Sequence, residues 1–239
     1  MTLLVMSSDN NIDTFELFYY CLEKNWPNHP EVIYSTETLG NPCYKTICRD
    51  YPLKNWSKRI RETVEEIDDK YILLMCDDIF IRKPVNNEYV LSLTNYIDNG
   101  FACLHFEQSF LKEDDKQPFN NDWCKCTSWL RRSLMCCLWD KEKLLRRLDA
   151  DLDPWALEGL ENTESWPHLI SKGKDVFDWG KGGTGHRNWG VFRGKWSIET
   201  VKYAEKNGIK LNMSRGIQYR MPDYNDNKNW SQKLNKIRS

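Results

Sequence analysis

Asp77 and Asp78 interrupt an apolar segment: Tyr71 to Met75 is a run of β-formers and aliphatics, and Ile79, Phe80 and Ile81 resume it. The packing of a buried strand has no use for paired carboxylates, and desolvating them costs free energy unless something compensates. The pair is therefore expected at the strand's carboxyl end. Ligands bind there in open α/β sheets, and two hard oxygen donors hold a divalent cation against a phosphate. The plainer alternative is turn chemistry or a cap for the next element. A second candidate is the stretch GGTGHRNWG, with His186 and Arg187, followed by Arg193 and Lys195. An imidazole beside cations suits a diphosphate or its metal; an ordinary basic surface loop is the alternative.

Nine cysteines, at positions 21, 43, 48, 76, 103, 124, 126, 136 and 137, lack the paired spacings of zinc ribbons and fingers, and no histidine pair completes them. They read as small buried hydrophobes in a reducing compartment. His105, on an apolar strand, reads as a core or cleft-edge residue, whereas His29 and His168, beside prolines, read as loop surface. Several of the eleven tryptophans adjoin polar or glycine-rich stretches, as in proteins that stack on sugar or base rings, although core packing is their default role. Lys and Arg number 34 against 35 for Asp and Glu, so no global field points to nucleic acid. The glycines do not form a dinucleotide fingerprint and no phosphate-binding G-x-x-x-x-G-K-[ST] occurs, which disfavours a dehydrogenase or a kinase. The opening apolar run is too short for a signal peptide and lacks its basic leader, and no 18-residue apolar stretch exists. The expectation is a cytoplasmic protein, soluble or peripheral at the inner face of the plasma membrane.

The elements that must position these residues alternate. Residues 2 to 7 (TLLVMS) predict a strand ending in the polar turn Ser8-Asp9-Asn10-Asn11, and Asp13 is placed to cap a helix that Trp26-Pro27 stops. EVIYST (31 to 36) predicts a second strand, Gly40 to Leu53 a loop, and Ile60, Val64 and Ile67 one face of a helix capped by Asn55 or Ser57. The Tyr71 strand follows, completing β-α-β-α-β and arguing a mostly parallel sheet flanked by helices. Beyond it come a helix from Asn86 to Asp98 closed by Asn99-Gly100, a strand at 101 to 106, and a polar, irregular flap or acceptor loop at 107 to 128. A strand within 128 to 139 leads to a helix capped by Asp140. Asp153-Pro154 opens another helix, Ser197 caps a last one that Gly208 closes, and IKLNM forms a short strand.

Four features occur in order: Trp56-Ser57-x-Arg59 before a helix; Leu74-Met75-Cys76-Asp77-Asp78-Ile79-Phe80; Ser133-Leu134 followed by Leu138-Trp139-Asp140-Lys141; and Asp153-Pro154-Trp155-x-x-Glu158. In these the chain resembles nucleotide-sugar glycosyltransferases of the GT-A type, specifically bacterial enzymes that build capsular, exopolysaccharide or lipopolysaccharide chains. The resemblance implies a single GT-A (Rossmann-like) domain over 1–239: a nucleotide-sugar-binding half at 1–106, an acceptor and catalytic half at 107–220, and a basic tail at 221–239. It assigns the strand-end acids to Mn²⁺ or Mg²⁺ on a diphosphate. Cys76 stands where the first aspartate of the family's Asp-x-Asp falls, which makes Asp78 the metal residue and Asp77 a contact to ribose or metal. Ser7, Ser8 and Asp9 are expected at base and ribose, Ser57 and Arg59 near base or phosphate, and His186 at the metal or diphosphate.

Glu158 resembles the family's catalytic carboxylate, and Glu161, three residues on, shares nearly its helix face. An inverting transfer needs such a base to take the acceptor's proton. The implied partners are a UDP-sugar donor and a saccharide acceptor, lipid-linked if the lysines and arginine of the tail contact an anionic membrane; solvated charge at a terminus is the alternative. A sugar-nucleotide nucleotidyltransferase, or a non-catalytic carbohydrate-binding protein of the same fold, would share the strand-end acids. The first would normally carry a glycine-rich basic signature that SSDNNIDT lacks.

Overall fold

β1 (Thr2–Met6) is buried along its whole length and has a parallel partner on each side. The computed structural model describes residues 1–106, 116–126, 133–160, 164–172, 176–179 and 189–219. They fall into two compact units, Met1–Asp178 and Trp179–Ser239.

In the first unit β1 leads through a 3-10 turn (Asp9–Thr14) into α1 (Phe15–Asn25), then β2 (Glu31–Thr36), β3 (Lys45–Cys48), α2 (Trp56–Glu65) and β4 (Tyr71–Cys76). The helix at α1 begins two residues after Asp13, and its N-cap, Thr14, makes no side-chain cap bond. β3 lies inside the expected loop; only Ile47 is buried in it, so no alternating pattern announced an edge strand. α3 (Asn87–Ser92) and α4 (Thr94–Asp98) replace the single helix expected there. Asn86 caps the first, and Gly100, at φ 98°, follows the second. Then come β5 (Cys103–His105), β6 (Lys116–Pro118), β7 (Trp123–Cys126), β8 (Cys137–Asp140), α5 (Lys141–Arg147), α6 (Pro154–Gly159) and β9 (His168–Ser171). β6 and β7 form an antiparallel hairpin within the stretch expected to be irregular. Its anchor is the fully buried Trp123.

The nine strands make one sheet in the order β3-β2-β1-β4-β8-β5-β9-β7-β6. The first four are parallel, whereas β8 enters antiparallel between β4 and β5. The sheet is thus mixed, with its parallel half where the sequence alternates strand and helix. Side chains alternate between the faces. Leu4, Met6, Ile33, Ile72, Leu74, Cys103, Cys137 and Trp139 share a core with Ile60 and Val64 of α2, Leu144 of α5 and Leu157 of α6. On the other face Phe15 and Phe18 of α1 meet the Tyr34 ring edge-on at 5.1 and 5.8 Å.

The second unit holds β10 (Val191–Phe192), β11 (Lys195–Ser197), α7 (Ile198–Lys206) and β12 (Ile217–Gln218). Arg193 and Gly194, at φ 50° and 76°, form the two-residue turn of the β10–β11 hairpin, a conformation that needs positive φ at both central positions. Ser197 caps α7, accepting from the Thr200 amide. IKLNM is not a strand: Met213–Arg215 is a 3-10 turn, and the Asn212 carbonyl accepts from buried Trp196 at 2.7 Å. The parallel partner of β11 is β12.

Asp140 ends β8 and its carboxylate accepts from the Lys143 amide at 3.1 Å. Asp140→Ala should therefore lower the unfolding free energy in urea titrations by about 1 kcal/mol, and Asp140→Asn should retain most of it.

Candidate functional site

β2 and β3 lie on one side of β1, and β4 lies on the other. The direction of strand addition reverses between β1 and β4, and such a reversal opens a crevice at the carboxyl ends. Ser7, the first residue after β1, and Asp77, the first after β4, meet across it: the Ser7 hydroxyl donates to Asp77 Oδ2. Asn11 Nδ2 donates to Asp77 Oδ1 at 2.9 Å. With 2% exposure and both oxygens accepting, Asp77 ties the loop after β1 to the end of β4. Asp78, the next residue, is half-buried.

A second tie runs through Arg59 of α2, which is 1% exposed. Its Nη2 donates to the Ser7 carbonyl at 2.7 Å, and its Nη1 stands 2.9 Å from Glu37 Oε1, an ion pair off the line of a directed hydrogen bond. Burial pulls the guanidinium below its ordinary pKa while Glu37, Asp9 and Asp77 pull it back. Glu37 also accepts from the Asp9 amide at 2.6 Å. Asp9 in turn accepts from the Thr38 and Leu39 amides, each at 3.0 Å. Burial pushes Asp9 up, but the Thr38 and Leu39 hydrogen bonds and the Arg59 charge outweigh it, so its carboxyl lies below the usual range. Asn11, Glu37 and Thr38 were not among the predicted site residues. The signal was present, because Glu37 and Thr38 follow EVIYST as the aspartates follow the Tyr71 strand.

Ser57 is not brought to this cluster. It is fully buried; its hydroxyl donates to the Ala150 carbonyl and accepts from the Leu152 amide at 2.9 Å. It pins the start of α2 to the loop before α6. Ser8 is half-buried and precedes the 3-10 turn. Arg193 and Lys195 belong to the β10–β11 hairpin of the second unit. Glu161, His186 and Arg187, and the tail at 221–239, lie outside the described residues.

Glu158 sits on α6, whose start is set by Asp153 accepting from the Ala156 amide at 2.8 Å and by Pro154. Its Oε1 accepts from the Leu134 amide at 3.3 Å. Leu134 lies just before β8, which runs against β4, so this stretch reaches the edge where β4 ends. Here Cys136 takes φ 47°, a left-handed conformation uncommon in a residue with a Cβ. Burial raises the Glu158 carboxyl, against the Leu134 amide, the Ser133 hydroxyl and the Arg147 charge. The Cys76 thiol is pushed well up, by burial first and then by Asp78, Cys136, Asp77 and Glu158. Through the Leu134 amide, Glu158 is held near the edge where β4 ends, although eighty residues separate it from the aspartate pair in sequence.

Of the two histidines read as loop surface, His168 is instead in β9 and 2% exposed, whereas His29 does lie in the loop after α1, half-buried, its ring held by the Pro30 carbonyl and Glu23 at 2.7 and 3.0 Å. Trp26, Trp123, Trp139 and Trp196 are core residues, which leaves them no ring face for a sugar. Among the described residues no carboxylate belongs to a group of three metal-ligating side chains. A hard cation at Asp78 would thus draw most of its oxygen shell from a bound ligand and water, which suits Mg²⁺ or Mn²⁺ on a diphosphate.

No family model matches the chain, and no curated protein matches it. Among solved structures it is similar to the galactosyltransferase LgtC in complex with donor and acceptor sugar analogs, at 12% identity over 61% of this chain and 60% of that one, TM-score 0.37. It is similar to S. aureus TarS in complex with UDP-GlcNAc at 11% identity over 73% and 60%, TM-score 0.43. It is also similar to the bifunctional IspDF from Campylobacter jejuni at 11% identity over 73% and 50%, TM-score 0.37. The chain spans half to three-fifths of these proteins.

A carboxyl raised by folding favours the protonated native state. Its stabilising effect is present below the unfolded value, about 4.3, and is lost as pH rises through the folded value. Glu158→Gln should accordingly melt higher than wild type at pH 7. Calorimetry at about pH 4 should find the difference gone.

Proposed function

We propose that this chain is a glycosyltransferase that moves a sugar from a nucleoside diphosphate, UDP, to a saccharide acceptor with inversion. The observation that carries the reading is the convergence at one sheet edge of a locked Asp77, its neighbour Asp78 and a Glu158 whose carboxyl is raised by burial. The ordered motifs around Arg59, Asp78, Trp139 and Glu158 support it.

In this reaction an acceptor oxygen attacks the anomeric carbon as the bond to the diphosphate oxygen breaks. Glu158 takes the proton from the acceptor hydroxyl; a carboxylate raised from its ordinary value is a stronger base for that step. Asp9, held ionised by two amides, faces the ribose hydroxyls as an acceptor. Asp78 holds Mg²⁺ or Mn²⁺, which when bound supplies charge neutralisation for the departing diphosphate. On the sequence pattern alone, His186, Arg187, Arg193 and Lys195 are proposed as phosphate donors and Glu161 as the reserve base. Among the described residues no helix is long and apolar enough to cross a membrane. The proposed setting is surface-polysaccharide synthesis on a lipid-linked acceptor at the cytoplasmic face, with the basic tail on the membrane.

Calorimetric titration of UDP with Mn²⁺ tests the donor site. Asp78→Ala should weaken metal-dependent binding at least tenfold, on the order of the 1.4 kcal/mol that one charge-assisted contact contributes, without moving the melting temperature of the free protein. Wild type that fails to bind UDP with metal sinks the reading. Glu158→Gln should bind UDP as wild type does and lose about 10²–10⁴ in turnover. Wild-type kcat/KM should rise with pH through an apparent pKa above the ordinary glutamate value, because the base must be deprotonated.

A further inference from the structure

On the sheet face that α2, α5 and α6 cover, the antiparallel half gathers donors of a different kind. Cys103 and His105 are alternate residues of β5 and so share a face. The β5–β8 register sets Cys137 opposite His105 and Trp139 opposite Cys103. The two sulfurs and a nitrogen of His105 all lie within 4.8 Å of one another; Cys103 Sγ is 3.9 Å from His105 Nδ1. His105 Nε2 is 3.0 Å from His168 Nδ1 on β9, and Trp139 Nε1 donates to Cys137 Sγ at 3.1 Å. All five side chains are buried.

We propose that Cys103, His105 and Cys137 bind one zinc ion, a structural site distinct in place and chemistry from the aspartate pair. Zinc takes thiolate at about 2.3 Å and imidazole at about 2.0–2.1 Å, so a tetrahedral edge between them is roughly 3.6 Å; the 3.9 Å separation needs a closure of only tenths of an ångström. The surroundings are those of a metal site. A ligating imidazole hands its other nitrogen to a fixed partner, which sets tautomer and orientation, and His168 occupies that position at His105 Nε2. The Trp139 N–H answers the Cys137 sulfur as a donor answers a metal thiolate.

Charge selects the ion. Two thiolates and a divalent cation sum to zero, which a dry sheet tolerates; a monovalent ion would leave a net negative charge there. Soft sulfur selects against Mg²⁺ and Mn²⁺. On binding, the two thiols release their protons to water, and the fourth position is left to water or another side chain. A plain core explains the cluster less well, since the neighbouring positions of the same face are Leu4, Ile72 and Leu74 and two imidazoles among them carry a desolvation cost. The ion would bolt β8 to β5 a few residues from Leu134, the residue that holds Glu158.

The full chain, expressed in zinc-supplemented medium and purified under reductant without chelator, should carry about one zinc by elemental analysis, the stoichiometry of a single site. X-ray absorption at the zinc edge should show at least two sulfur neighbours and imidazole nitrogen. Cys103→Ser with Cys137→Ser should lose the metal. Cys43→Ser with Cys48→Ser, which removes the two exposed thiols, should keep it. If the first variant does not fold, the wild-type absorption spectrum and a fall in melting temperature with chelator decide. The proposal is overturned by wild type that stays metal-free after incubation with zinc, by an oxygen-only shell, or by zinc retained in the Cys103/Cys137 variant.

Discussion

Arg59 lies 1% exposed beneath the carboxyl ends of β1 and β2, and burying a guanidinium costs several kcal/mol (~) unless carboxylates and carbonyls answer it. The answer comes from two strand ends at once. The Ser7 carbonyl takes one nitrogen and Glu37 faces another, so the loops after β1 and β2 are held against α2. Ser7 passes the constraint on, because its hydroxyl holds Asp77 at the end of β4. Three parallel strands thereby end in one hydrogen-bonded frame. Asp78 inherits a fixed position from its neighbour.

The other half of the edge is built by apolar packing. β8 runs against β4 and carries Cys137 and Trp139 into the core that α2, α5 and α6 share. Leu157 of α6 belongs to the same core, and the residue after it, Glu158, is thereby aimed at the Leu134 amide. Burial of one side chain thus orients the next, and the partial loss of water that follows raises the Glu158 carboxyl. Helix caps contribute locally: Asp140 and Asp153 start α5 and α6, which fixes how far each helix extends toward the edge.

Legibility followed the range of the interactions. EVIYST and the Tyr71 run were read as strands because continuous burial writes itself as continuous apolar sequence. Asp140, Asp153 and Ser197 were read as caps because an N-cap bond closes within three residues. β3, β6, β7 and β9 were missed: each is three or four residues long, too short to show a period, and β3, β7 and β9 also take ladder hydrogen bonds from strands distant in the chain. IKLNM has strand composition, yet a turn and the Trp196 indole took its place in the second unit.

The sequence by itself determined that two aspartates end a buried strand, that Asp153-Pro154 opens the capped helix carrying Glu158, and that β1, α1, β2, α2 and β4 follow one another in that order over the first eighty residues. Only the tertiary structure decided which partners these groups meet. Asp77 and Ser57 are occupied by Ser7, Asn11, Ala150 and Leu152, partners that no local spacing identifies. The same holds for the cysteines. Cys103 and Cys137 look unrelated along the chain, and they meet because the β5–β8 register brings residues 34 positions apart onto one face. Register is set by cross-strand hydrogen bonds and by which side of each strand must be buried, and both depend on the assembled sheet.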